Sequence, residues 1–276
     1  MEPLTPEDLR DIWIRLQASE LETVVVGGQA INLWAFQYAQ DTQEWNQYRP
    51  FASEDLDFYG GRIEVTICRD ALNGRATFNR DFDPSPNAGV VLVDRQGKNL
   101  RIDILASIFG LSDAEITGTS QRFVGRGILS GLELNVLNPI LCLEGKLQCL
   151  QGLPQLGRQD EKHVRLSTLI VREFLREQLP ALNTRTGLNL VERVARSSWS
   201  QAGLHAWHNH GIQVEKAIPL ETIRELSAPQ WEQFRTIRAP QIDEQISKRR
   251  RQYQQVMEQI DLRSKKRQQN PEQEQF

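Results

Sequence analysis

A short apolar run that ends at two glycines constrains this chain most. Thr23-Val24-Val25-Val26 is β-branched throughout, and Gly27-Gly28 stops it. Gln29 to Tyr38 contains neither Gly nor Pro, so the local order reads strand, glycine turn, helix. A continuous apolar strand is buried on both faces and needs a sheet with helices packed over it. Ahead of it, residues 6–19 read as an amphipathic helix. Thr5 suits its cap, Pro6 its first turn, and Leu9, Ile12, Trp13 and Leu16 recur at helical spacing.

The next strand carries the chemistry. Residues 40–52 are polar and irregular, and then Glu54-Asp55-Leu56-Asp57-Phe58-Tyr59 alternates polar and apolar up to Gly60-Gly61. Alternation puts Asp55 and Asp57 on one face and Leu56 and Phe58 on the other. A helix is expected over 62–73 and a loop over 81–87, with Pro84 and Pro86. Strands are expected at 90–93 and 100–105, forming a hairpin around Arg95-Gln96-Gly97-Lys98, and at 132–137 before Pro139. Asp103 lies between Ile102 and Ile104 and repeats the earlier pattern. Each feature alone fits a solvated strand face or an ordinary turn. If the two Asp strands are neighbours, three carboxylates meet on one face and repel. Divalent cations relieve that repulsion, and hard oxygen ligands suit Mg²⁺. The glycine turn at a helix N-terminus offers backbone N–H groups to phosphate. A phosphate cradle beside a carboxylate metal platform is the apparatus of two-metal phosphoryl or nucleotidyl transfer.

Strand–Gly-Gly–helix, then Asp-x-Asp, then a third Asp on a later strand resembles the nucleotidyltransferase superfamily with the polymerase-β-type fold. Val26-Gly27-Gly28-Gln29 stands at its glycine loop, Ser53-Glu54-Asp55-Leu56-Asp57 at its metal strand and Arg101-Ile102-Asp103-Ile104 at its third-carboxylate strand. The helix from Asn138, through Glu144-Gly145-Lys146-Leu147, resembles the Lys-Leu helix of the AbiEii-type branch, known for toxin components of toxin–antitoxin systems. Arg158-Gln159-Asp160 stands where that branch carries an Arg-Asp pair. The resemblance implies an α/β (α+β) fold: a mixed sheet flanked by helices, then a helical domain. It implies two Mg²⁺ ions on Asp55, Asp57 and Asp103, with these three residues catalytic. It implies an NTP held by Gly27, Gly28, Gln29, Ser53 and Lys146, and an acceptor hydroxyl on RNA, protein or a small molecule. An antitoxin partner is implied as well. Read from the residues alone, Lys146 is equally an exposed helix lysine, and Ser53 the end of a loop. A non-catalytic nucleotide-binding or regulatory protein on the same scaffold is the alternative.

From Pro139 onward helical stretches follow one another, at 139–151, 159–178, 187–197, 200–209, 219–226, 229–236 and 240–266, punctuated by prolines. The expected organisation is an α/β domain over 1–138, a helical domain over 139–240 and a basic, Gln-rich helix and tail over 241–276, with 270–276 frayed. The net charge is −3, yet residues 248–267 carry +6 on a body of −9. That basic stretch suits nucleic-acid phosphates or a solvated helix face. The stripe Ile242, Ile246, Tyr253, Val256, Met257 and Ile260 favours packing against the helical domain or a second subunit. His205, His208 and His210 fit a helix C-terminus ended by Gly211, or a shared metal. Cys68, Cys142 and Cys149 are too scattered for a disulfide framework, which points to a reducing, cytoplasmic setting. No apolar run reaches a membrane span, and the acidic N-terminus lacks a signal-peptide core.

Overall fold

The computed structural model describes residues 3–19, 21, 23–80, 85–95 and 98–269, without the side chains of 98–99 and 264–269. The expected hairpin turn at Gln96-Gly97, part of the loop (81–84) and the tail from Asn270 lie outside the described residues. The chain divides into two compact units, Met1–Phe174 and Leu175–Phe276. The division falls later than position 138, because the helices after Pro139 complete the cover of the sheet.

The first unit is built on a seven-stranded mixed sheet. Its strands are β1 (Val24–Val26), β2 (Leu56–Tyr59), β3 (Arg75–Phe78), β4 (Asn87–Arg95), β5 (Lys98–Leu105), β6 (Gln121–Val124) and β7 (Glu133–Val136). They lie in the order β3-β4-β5-β2-β1-β7-β6. β2 pairs parallel with β5 and β1 parallel with β7; the other neighbours run antiparallel. Val25 and Val26 on β1 are almost fully buried, as a central strand covered on both faces requires.

Helices close the sheet. In α1 (Arg10–Ala18), Ile12, Trp13 and Leu16 are buried. Its entry turn starts at Thr5, whose Oγ1 accepts from the Asp8 N–H at 3.2 Å while the Thr5 N–H donates to Asp8 Oδ2 at 2.9 Å. α2 (Gly27–Tyr38) begins at the glycines themselves, two residues earlier than expected. α3 (Gln43–Asn46) interrupts the segment read as irregular and anchors it through buried Trp45. α4 (Arg62–Leu72) turns off β2 at Gly60-Gly61 and ends at Asn73, in the left-handed region that Asn tolerates. α5 (Asp113–Thr119) precedes β6. α6 (Pro139–Gly152) is capped by Asn138, whose Oδ1 accepts from the Ile140 N–H at 2.9 Å. The Trp34 indole N–H donates to the Leu137 carbonyl at 2.8 Å and ties α2 to the start of α6. α7 (Asp160–Gln178) follows.

The second unit is helical: α8 (Thr184–Trp199), α9 (Gln201–His210), α10 (Leu220–Glu225), α11 (Pro229–Gln233), one π turn over Phe234–Arg238, and α12 (Ala239–Gln269). Trp231 and Phe234 meet edge to face at 6.0 Å, and Gly187 leaves room for Trp231. The stripe on α12 is only partly covered. Ile242 and Ile246 are buried and Tyr253 half-buried, but Val256, Ile260 and Leu262 are exposed. No described helix is long and apolar enough to cross a membrane.

Candidate active site

Register decides where the carboxylates meet. On the parallel pair β2–β5, Leu56 stands beside Ile102, Asp57 beside Asp103 and Phe58 beside Ile104. Leu56, Phe58, Ile102 and Ile104 fill the core, which leaves Asp57 and Asp103 together on the opposite face. Asp55 joins them just before β2 begins. Ligand oxygens from the three carboxylates all lie within 4.8 Å of one another.

The glycine turn faces this cluster. Gly27 has φ +64, and a Cβ there would overlap Asp57 Oδ2 and lie 2.8 Å from its Cγ. A side chain at 27 and the carboxylate at 57 therefore exclude each other. The N-terminus of α2 has no side-chain cap, so its first amides keep their capacity for an acceptor. Gly28 is packed against the Ser53 Oγ. Ser53 is buried, and its Oγ accepts from Asn32 Nδ2 at 2.9 Å.

Asp103 is the most engaged of the three. Arg101, two residues away on the same face of β5, donates Nε to Oδ2 and Nη2 to Oδ1, both at 2.8 Å. Asn87 on β4 adds a bond to Oδ1 at 2.9 Å. Oδ2 carries one of these bonds and keeps a lone pair. Burial first, and then the Asp55 and Asp103 charges, push Asp57 up to about 7. Asp55 is raised as well, again first by burial and then by Asp103.

α6 and α7 supply cationic groups. Lys146 is largely buried and donates to Asp160 Oδ1 at 2.8 Å, while Arg158 Nε donates to Asp160 Oδ2 at 2.5 Å. Burial alone would raise Asp160; the Lys146 charge and the two hydrogen bonds outweigh it and hold the carboxyl below its ordinary value. One cleft of about 740 Å³ runs from Val26–Gly28 and Ser53, Asp55, Asp57 and Asp103 across to Gly145, Lys146 and Arg158–Asp160.

The structure thus gathers Asp55, Asp57, Asp103, Gly27, Gly28, Ser53 and Lys146 around one cleft. Gln29 does not join them: it is fully buried, and its amide donates to the Leu4 carbonyl at 2.9 Å, which anchors the N-terminal segment. Gln29 is the third helical residue, because the helix starts at Gly27, and that position points into the protein. Sequence reasoning missed Arg101, Asn87 and His163. The first had a visible signal, since i and i+2 on an alternating strand share a face; the others come from separate elements. The histidines of α9 form no metal group with other described residues. His205 Nδ1 lies 2.8 Å from Asn209 Nδ2, and the His208 ring meets Tyr253 at 5.6 Å.

No protein-family model matches the chain, and no curated protein matches it. Among solved structures, it is similar to JHP933 from Helicobacter pylori, with 12% identity and a TM-score of 0.36 over 94% of this chain and 96% of that one. A likeness at that level carries no argument.

Proposed function

We propose that the chain is a Mg²⁺-dependent nucleotidyltransferase. The observation that carries this reading is the convergence of Asp55, Asp57 and Asp103 on one sheet face, opposite the uncapped N-terminus of α2. The donor set fits the metal: three hard oxygen donors span 4.8 Å, close to the distance across a coordination sphere of roughly 2.0–2.1 Å radius. Asp57 is pushed up first by burial and then by the Asp55 and Asp103 charges, and a bound cation would relieve the second contribution. Asp55, Asp57 and Asp103 would hold two Mg²⁺ ions, which supply neutralisation of the phosphate charge and a more acidic acceptor hydroxyl.

The reaction forms a bond from the acceptor oxygen to the α-phosphorus of an NTP and breaks the α–β bridge, releasing pyrophosphate. Gly27 and Gly28 present backbone N–H groups to the phosphates. Lys146, already oriented by Asp160, adds positive charge from the far wall. Ser53 holds the turn through Asn32. Asp103 Oδ2, with its spare lone pair, accepts a proton or a cation. The acceptor is an RNA, protein or small-molecule hydroxyl. The AbiEii-type resemblance adds a toxin role with an antitoxin partner, in a cytoplasmic setting that suits three free cysteines.

A second reading, nucleotide binding without turnover, is favoured by one observation. Arg101 and Asn87 already engage Asp103 with three bonds. Incubation with α-labelled NTPs, Mg²⁺ and cellular RNA or protein separates the two. Transfer by the wild type and none by Asp57→Asn supports catalysis. Mg²⁺-dependent NTP binding with no label transferred supports the second reading, and absence of both refutes the two together.

A further inference from the structure

His163 lies in the first turn of α7, and no step above uses it. It is 5% exposed, and neither Nδ1 nor Nε2 has a hydrogen-bond partner. Buried imidazole nitrogens are costly to leave unpaired, so they call for a partner from outside the surrounding side chains. The ring lies in the cleft wall, with Cε1 3.1 Å from where a Cβ on Gly28 would stand. The edge that carries both nitrogens therefore faces the first turn of α2. That turn is itself an uncapped helix N-terminus of a twelve-residue helix. Two independent features, unpaired amides and an unpaired imidazole, converge on one spot.

We propose that His163 is a direct phosphate ligand, a neutral imidazole that donates one ring N–H to an oxygen of the polyphosphate held at the N-terminus of α2. The inference rests on the reading of the cleft as a nucleotide site and adds a residue to it. Burial, and then the Lys146 charge, push His163 down to about 3, so the ring contributes a donor without contributing charge. Lys146 on α6, Arg158 just ahead of α7 and Lys162 on α7 itself supply the cations, with Asp160 on α7 opposing them. A neutral donor at this place adds direction: it reads where a phosphate oxygen stands, as a mobile lysine does not.

The test uses the full chain, inorganic tripolyphosphate and constant Mg²⁺, with affinity measured by calorimetry. His163→Phe keeps the ring and loses both nitrogens; the expected loss is roughly tenfold or more, as for removal of one hydrogen bond to a charged group. His163→Gln, which restores an N–H donor, should recover most of that affinity. Ring ¹⁵N resonances of the wild type provide a readout that needs no variant. Among the described residues His163 is the one histidine that lines the cleft, so tripolyphosphate should shift the His163 signals. Unaltered tripolyphosphate affinity in His163→Phe, or unmoved His163 resonances on binding, overturns the inference and spares the nucleotide site. If the wild type binds no tripolyphosphate, the nucleotide reading fails and this inference fails with it.

Discussion

Replacing Asp57 by Asn should make the metal-free protein more stable, and increasingly so as pH rises. Burial and the two neighbouring carboxylates push Asp57 from its ordinary 3.8 up to about 7. Below about pH 4 the carboxyl is protonated whether folded or unfolded, and the cluster costs nothing through this group. Between about pH 4 and 7 the unfolded chain ionises while the folded one keeps its proton, so stability falls as pH rises. Above pH 7 the folded carboxyl ionises too, and the penalty levels off. About three units at roughly 1.4 kcal/mol each set a ceiling near 4 kcal/mol. Water in the open cleft screens about half of that, leaving roughly 2 kcal/mol. Asn matches the shape without the charge. In chelator, Asp57→Asn should therefore melt roughly 4–8 °C higher than wild type at pH 8, for a unit of this size. Near pH 4 the two should coincide. Mg²⁺ should reverse the order at pH 8 by raising the wild type alone. Calorimetric melting over pH 4–8, with and without the metal, measures all of this. A gain independent of pH, or a variant less stable at pH 8, would refute the electrostatic account of the cluster.

Four further outcomes follow from other contacts. Gly27→Ala must strain a left-handed backbone and displace the Asp57 carboxylate, so it should cost roughly 1–3 kcal/mol and abolish Mg²⁺-dependent stabilisation, both read by thermal melting. Arg101→Gln frees Asp103 Oδ2, so it should tighten Mg²⁺ binding in calorimetry; weaker binding would mean that Arg101 orients the carboxylate for the ion. Deleting 258–276 removes the exposed Ile260 and Leu262 and should leave the melting of the C-terminal unit unchanged. Deleting 247–276 also removes Arg250, which pairs with Glu215 at 2.8 Å and lies over the Trp207 ring at 5.0 Å, and should cost roughly 1–2 kcal/mol.

The centre of the sheet was legible because its strands obey simple rules. β1 is apolar on both faces, and β2 and β5 alternate around their aspartates, so each Asp declared its side before any neighbour was known. The edges were not legible. β6 buries only Phe123, and β3 has exposed Arg75 and Thr77 with half-buried Ala76 and Phe78, too little pattern to separate them from loop. The start of α2 was misplaced because glycine reads as a breaker, although a first helical turn tolerates it. Gln29 followed from that error: with the helix beginning two residues earlier, its amide turns to Leu4 and not to the cleft. The α12 stripe was real in composition, yet full burial ends at Ile246 and partial burial at Met257, since periodicity records what a face could cover and not what reaches it. His163 had no signal, because Gly28 becomes its neighbour only through tertiary packing.

The parallel pairing of β2 with β5 has a consequence for the chain during synthesis. Asp55 and Asp57 are made well before Asp103, and α4, β3 and β4 intervene before β5 can slot beside β2. Such long-range pairing is slow to form, because a large loop must close before any contact rewards it. An unfinished polypeptide therefore holds scattered acids with no seat for a cation, and the wall contributed by α7 arrives later still. The three acids come together only when the fifth strand docks, so a product stalled before Asp103 never assembles the cluster.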